Sequence, residues 1–133
     1  MKNFTSRTIK IQKSASEIFE KLSDFNNFKD MIPADKVEDF DCTATTCSFT
    51  VKGLQKVDIK IKELVSNKKV VYETVDGKPV EMTFGFDVFE ISDNNSEVKI
   101  NVNLQAEGLM SNIISRPINN MLKIVADKLE SSF

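Results

Sequence analysis

GLMSNIISRPINNMLKIVADKLESSF, residues 108–133, is the stretch whose reading decides the fold, and it reads as one long C-terminal helix. Stepping 100° per residue from Ile114 brings Ile118, Met121, Leu122, Val125 and Leu129 into an arc of about 100°, the usual width of a stripe that faces a core. Met110, Ile113, Pro117 and Ile124 flank that arc on one side and Ala126 and Phe133 on the other, so the apolar surface reaches roughly 220°. Arg116, Asn119, Asn120, Lys123, Asp127 and Glu130 hold the polar remainder. So wide an arc predicts a helix gripped by its surroundings, since packing on one flat surface needs less.

Immediately upstream the period changes from 3.6 to 2. Val98, Ile100, Val102, Leu104 and Ala106 alternate with Lys99, Asn101, Asn103, Gln105 and Glu107, a half-buried strand that Gly108 ends. Val57, Ile59 and Ile61 alternate as cleanly with Lys56, Asp58, Lys60 and Lys62. Val80, Met82, Phe84, Phe86 and Val88 share one face. Phe89 and Ile91 then fall on the opposite parity, which predicts a bulge or strong twist near Val88. Val70, Tyr72 and Thr74 form another run, and Lys36 to Cys42 and Cys47 to Val51 two more. Asn67-Lys68, Asp76-Gly77 and Asp93 to Ser96 are the turns. Connections this short require antiparallel pairing.

At the front, Phe4 to Gln12 reads as the first strand. Ser14-Ala15-Ser16-Glu17 fits a capping box, and Ile18, Phe19 and Leu22 share one face of the helix it opens. Asp24 caps a second short helix carrying Phe25, Phe28, Met31 and Ile32, which Pro33 stops. The reading is α+β: one domain over residues 1–133, an antiparallel meander covered by the C-terminal helix and closed at one end by two short helices.

Composition limits the chemistry. The 133 residues include no His and no Trp, and the net charge is −2. That balance argues against non-specific nucleic-acid binding, which needs clustered positive charge. Zero histidines exclude Ser-His-Asp and Cys-His arrangements, and with only two cysteines a zinc site is not expected. Gly53, Gly77, Gly85 and Gly108 are scattered singly, so no phosphate-cradling loop is present. With no long apolar run for a signal peptide or a membrane span, a cytoplasmic location is expected and no integral membrane segment. Cys42 and Cys47 flank four residues; they are either two small semi-buried residues beside a turn or a redox pair on facing strands, and cytosolic disulfides are rare.

The block Ser14 to Phe28, followed by Pro33, the strand meander and the Pro117 helix, resembles the START-like, helix-grip superfamily. That group includes polyketide cyclase/dehydratases, lipid-transfer domains and the birch pollen allergen. Within it the chain is similar to small bacterial members that consist of this domain alone. The resemblance implies a curved seven-stranded antiparallel sheet around the long C-terminal helix, with two short helices after the first strand and a cavity between sheet and helix. It implies no particular reaction, because one fold serves many functions.

The expected function is therefore a non-catalytic binding or transport module for a small hydrophobic or amphipathic molecule such as a lipid, fatty acid or aromatic, without a cofactor. The cavity candidates are Phe28, Met31, Phe49, Ile59, Ile61, Tyr72, Met82, Phe84, Phe86, Val102, Leu104, Ile113, Pro117 and Met121. These side chains either line a pocket or fill a solid core. A cyclase- or dehydratase-like enzyme is the first alternative; its acid or base would be Tyr72 or an inward Glu73 or Asp41. A protein-interaction domain is the second. Lys52, Lys56, Lys60, Lys62, Lys68 and Lys69 read as a basic stripe or as solvated strand edges, and Arg7 and Arg116 as head-group anchors or surface residues.

Overall fold

The structure, a computed structural model, describes residues 2–30, 37–51, 56–77, 81–105 and 109–133, with side chains for all of these except residues 2, 28–30, 51, 77 and 109–117. The strands are β1 (Lys2–Thr5), β2 (Ile9–Ile11), β3 (Val37–Cys42), β4 (Thr46–Val51), β5 (Lys56–Val65), β6 (Lys69–Thr74), β7 (Glu81–Ser92) and β8 (Asn95–Gln105). The helices are α1 (Ala15–Leu22), a 3₁₀ helix (Phe25–Asp30), a 3₁₀ turn (Val75–Gly77) and α2 (Leu109–Ser131). The eight strands form one sheet in the order β1-β8-β7-β6-β5-β4-β3, with β2 also paired to β8. Every pairing is antiparallel.

The expected single first strand is two strands. Thr5 pairs with Asn101 but Ile9 pairs with Val98, so the register slips by one between them. The side chain of Ser6 causes the break. Its Oγ accepts the Ile100 amide at 2.9 Å, a bond the main chain would otherwise take, while the Ser6 amide donates to the Ile100 carbonyl at 2.9 Å. Both pieces stay on β8, so the eight strands occupy seven positions across the sheet.

The β7 irregularity is also displaced from its expected place. Register is unbroken through Val88, and the shift falls between Glu90 and Ser92. Phe89 and Ile91 do not turn inward; they stand 51% and 60% exposed.

Ser14 caps α1 by accepting the Glu17 amide at 3.2 Å. The return limb runs from Ser14 Oγ to Glu17 Oε1 at 3.4 Å, side chain to side chain. Ser14→Ala is expected to cost about 1 kcal/mol, read from the urea midpoint, and Ser14→Gly only a few tenths. Asp24 Oδ1 accepts the Asn26 amide at 2.8 Å and opens the 3₁₀ helix.

On α2, Ile118, Leu122, Ala126 and Leu129 are buried, whereas Met121, Ile124 and Val125 are half-buried, as is Phe133 beyond its end. The stripe in deepest contact is thus rotated away from Met121 toward Ala126. An ion-pair fork from Arg7 accompanies the rotation. From the β1–β2 connection its guanidinium donates to Asp127 Oδ1 at 2.9 Å and to Glu130 Oε2 at 2.8 Å. That fork bridges the β1–β2 connection to α2, which lies against β1, β2 and β8. With all three side chains about half exposed, it adds little to the burial of Ile118, Leu122 and Leu129 that sets the rotation. Of the two readings of Arg7, head-group anchor or surface residue, the contacts fit the second: Asp127 first and Glu130 second hold its guanidinium, and they push its pKa up. The side chain of Arg116 lies outside the described residues.

Candidate functional site

Both side chains of a directly opposed cross-strand pair lie on the same face, and the register extends this into rows across the sheet. One row runs Ile61–Tyr72–Phe84–Val102–Phe4. A second runs Cys42–Cys47–Ile59–Thr74. Thr74 Oγ1 accepts the Met82 amide at 3.1 Å, which joins this row to the Met82–Leu104 pair. A third holds Val70, Phe86 and Ile100. Of the candidates read from the sequence, Phe49, Ile59, Tyr72, Phe86, Val102 and Leu104 are buried on this face, and Ile61, Met82 and Phe84 are half-buried against the same core. Met121 is half-buried on α2. Met31 and the side chains of Phe28, Ile113 and Pro117 lie outside the described residues.

Tyr72 is the polar centre of the face. It is 1% exposed, and its hydroxyl donates to the Leu22 carbonyl at the end of α1. Its ring lies 4.5 Å from Phe25 and 5.3 Å from Phe86, centroid to centroid. Burial removes water from the phenolate and drives the pKa well above the ordinary phenol value. This hydroxyl keeps its proton and gives it to a main-chain oxygen, a poor arrangement for a general base.

The carboxylates considered for catalysis face the other way. Glu73 sits on the outer face, 3.6 Å from Lys60 Nζ and 3.9 Å from Lys62 Nζ. Asp41 is exposed and pairs with Ser48, whose hydroxyl bonds Asp58 Oδ1 at 2.5 Å. The alternative of an inward Glu73 or Asp41 is therefore not met, and both have the solvated placement. The outer lysines are likewise interleaved with acids, Lys69 lying 3.5 Å from Glu63. Lys52 lies outside the described residues.

Two contributors were missed in the sequence. Phe40 is half-buried with its ring 5.7 Å from Phe49, although β3 alternates poorly. Asp39, at φ 58, breaks the register between Glu38 and Asp41 and hides the parity that would have marked Phe40. Phe25 was placed on a helix but not on the face; its amide donates to the Ala44 carbonyl at 3.1 Å, tying the 3₁₀ helix to the β3–β4 turn.

No family model and no curated protein matches the sequence. Solved structures do. XoxI from Bacillus cereus is 12% identical over 100% of this chain and 96% of its own, with a TM-score of 0.76. Truncated norcoclaurine synthase from Thalictrum flavum is 13% identical over 98% of this chain and 92% of its own, also at 0.76. A START superfamily protein from Mycobacterium smegmatis is 12% identical over 98% and 95%, at 0.69. The fold is the START-like helix-grip fold: an antiparallel sheet with a long C-terminal helix. Among the described residues, no helix is long and apolar enough to cross a membrane.

Proposed function

We propose that the chain is a non-catalytic binding or transport module that takes a small hydrophobic or amphipathic molecule between the inner face of the sheet and α2. The observation that carries this reading is the half-buried group Ile61, Met82 and Phe84, apolar side chains beside the closed-off Ile59, Tyr72, Phe86, Val102 and Leu104 of the same face. Apolar surface left partly open on an otherwise packed core gains from a ligand that covers it. The test is a thermal-shift screen across fatty acids, quinone-like aromatics, nucleotides and sugars. An apolar ligand at a hundred times its dissociation constant should stabilise the protein by about 2.7 kcal/mol. Phe84→Ala should weaken binding roughly tenfold or more, whereas Lys60→Ala on the outer face should leave it unchanged. Stabilisation by nucleotides or sugars alone would sink the hydrophobic pocket; stabilisation by nothing would favour a protein-interaction domain.

An enzymatic role has one specific support. A point mutant of norcoclaurine synthase, which shares the fold, has been captured with a transition-state analogue. Against it stand Tyr72, whose proton is committed to Leu22, and Glu73, which faces outward. Binding is the better reading.

A further inference from the structure

We propose that Cys42 and Cys47 form a reversible clasp that, when joined, holds edge strand β3 to the sheet and, when reduced, releases it. The two residues are directly paired in the β3–β4 ladder, their Cα atoms 4.0 Å apart, and a disulfide joins them. They belong to the inner-face row that continues through Ile59 and Thr74. Cys47 is 2% exposed, but Cys42 is half-buried on the edge strand, where a small thiol reaches it.

The strand being held is weakly held otherwise. β3 ends the sheet, and its ladder is interrupted between Glu38 and Asp41 with Asp39 in the left-handed region. The turn beyond the cysteines needs no crosslink. The Thr43 amide donates to the Thr46 carbonyl at 2.8 Å, and Thr43 Oγ1 accepts the Thr46 amide at 3.1 Å. Reduction therefore leaves the turn standing and loosens the strand on its far side. Phe40 sits there, within the register break beside the clasp, packed on Phe49. Through Ala44 the same hairpin holds Phe25, which packs on Tyr72. Two rings of the inner face thus depend on the hairpin's position.

The chemistry is thiol–disulfide exchange. A small-molecule disulfide such as oxidised glutathione takes the two electrons and two protons of the Cys42 and Cys47 thiols and leaves as two reduced thiols; reduced glutathione reverses this. In a compartment kept reducing, such a bond is transient, which suits a switch better than a permanent brace. Its effect on ligand binding rests on the pocket reading above.

The test equilibrates the full chain in oxidised and in reduced glutathione and follows three signals. Alkylation mass should count no free thiols in the first state and two in the second. Amide hydrogen exchange at residues 40–42 should rise roughly tenfold or more on reduction, while β7 and β8 stay unchanged. The neutral fluorophore N-phenyl-1-naphthylamine should bind with affinities that differ severalfold between the two states. The double variant Cys42→Ser, Cys47→Ser should behave as the reduced form in both buffers, its intact β7–β8 protection showing that it is folded. Two free thiols in oxidised glutathione, or equal β3 exchange in both states, would overturn the clasp. If exchange changes and the fluorophore binds equally in both, the link to the pocket is overturned. If it binds in neither, the pocket reading fails while the β3 exchange still decides the clasp.

Discussion

Leu129→Asp is expected to cost about 3–5 kcal/mol, enough to remove a large part of a domain's stability. Leu129 is 0% exposed, on the buried stripe of α2. The introduced carboxylate would replace apolar contacts and stand unpaired where water does not reach. Leu129→Ala separates the two causes, since it opens a cavity at about 2–5 kcal/mol without adding charge. Lowering the pH should recover part of the Asp deficit, because burial raises the carboxyl's pKa and the neutral form costs less to bury. Asn120→Asp, on the exposed face of the same helix, should change stability by no more than about 0.5 kcal/mol. Urea unfolding measures all three variants. If Leu129→Asp and Asn120→Asp shift the midpoint equally, the helix is rotated from the position described.

That rotation shows where sequence reading ends. Ile118, Leu122 and Leu129 were placed on the core side by periodicity alone, and they are buried. Periodicity put Met121 inside the core-facing arc because it weighs only residues on the helix. Of the strands the helix packs on, β1 and β2 lie far away in the chain, and the stripe buried there is turned toward Ala126. The strands behave alike. Val57 and Ile59, and Val98 through Leu104, were legible because lysines and asparagines alternate with them, so parity sorts the two faces. Parity fails where a side chain enters the ladder, as Ser6 does at Ile100, or where one residue turns left-handed, as Asp39 does before Phe40. For the candidate site, parity assigned Ile59, Tyr72, Met82, Phe84, Phe86, Val102 and Leu104 to one face. It says nothing of depth. That Met82 and Phe84 remain half-buried while Leu104 is closed off depends on which neighbours cover each strand, a long-range property no local pattern encodes. The same limit applied to Glu73, whose face was settled only by the pairing of β6 with Lys60 on β5.

Tyr72→Ala should be comparably damaging, at about 3–5 kcal/mol, because it empties the space between Phe25 and Phe86 and removes the donor to Leu22. Tyr72→Phe isolates the second effect. The ring stays and only the hydroxyl goes, leaving a carbonyl at the end of α1 without that donor, a loss of about 1–3 kcal/mol. The phenol also makes a prediction in pH. The unfolded chain ionises it near the ordinary value of 10.0, whereas burial holds the folded phenol protonated well beyond that. The unfolded state therefore releases this proton first as pH rises. The stability tied to it is fully present below pH 10.0 and drains away as pH climbs above that value. Lysines titrate in the same range, so the decisive comparison is between the natural chain and Tyr72→Phe, in which this part of the alkaline slope should vanish. Because the chain has a single tyrosine, tyrosinate absorbance reports Tyr72 alone. It should stay silent through the ordinary phenol range and rise only together with unfolding. Absorbance rising near pH 10.0 in a protein that is still folded would show the hydroxyl open to water, and the packing of α1 against β6 and β7 would have to be redrawn.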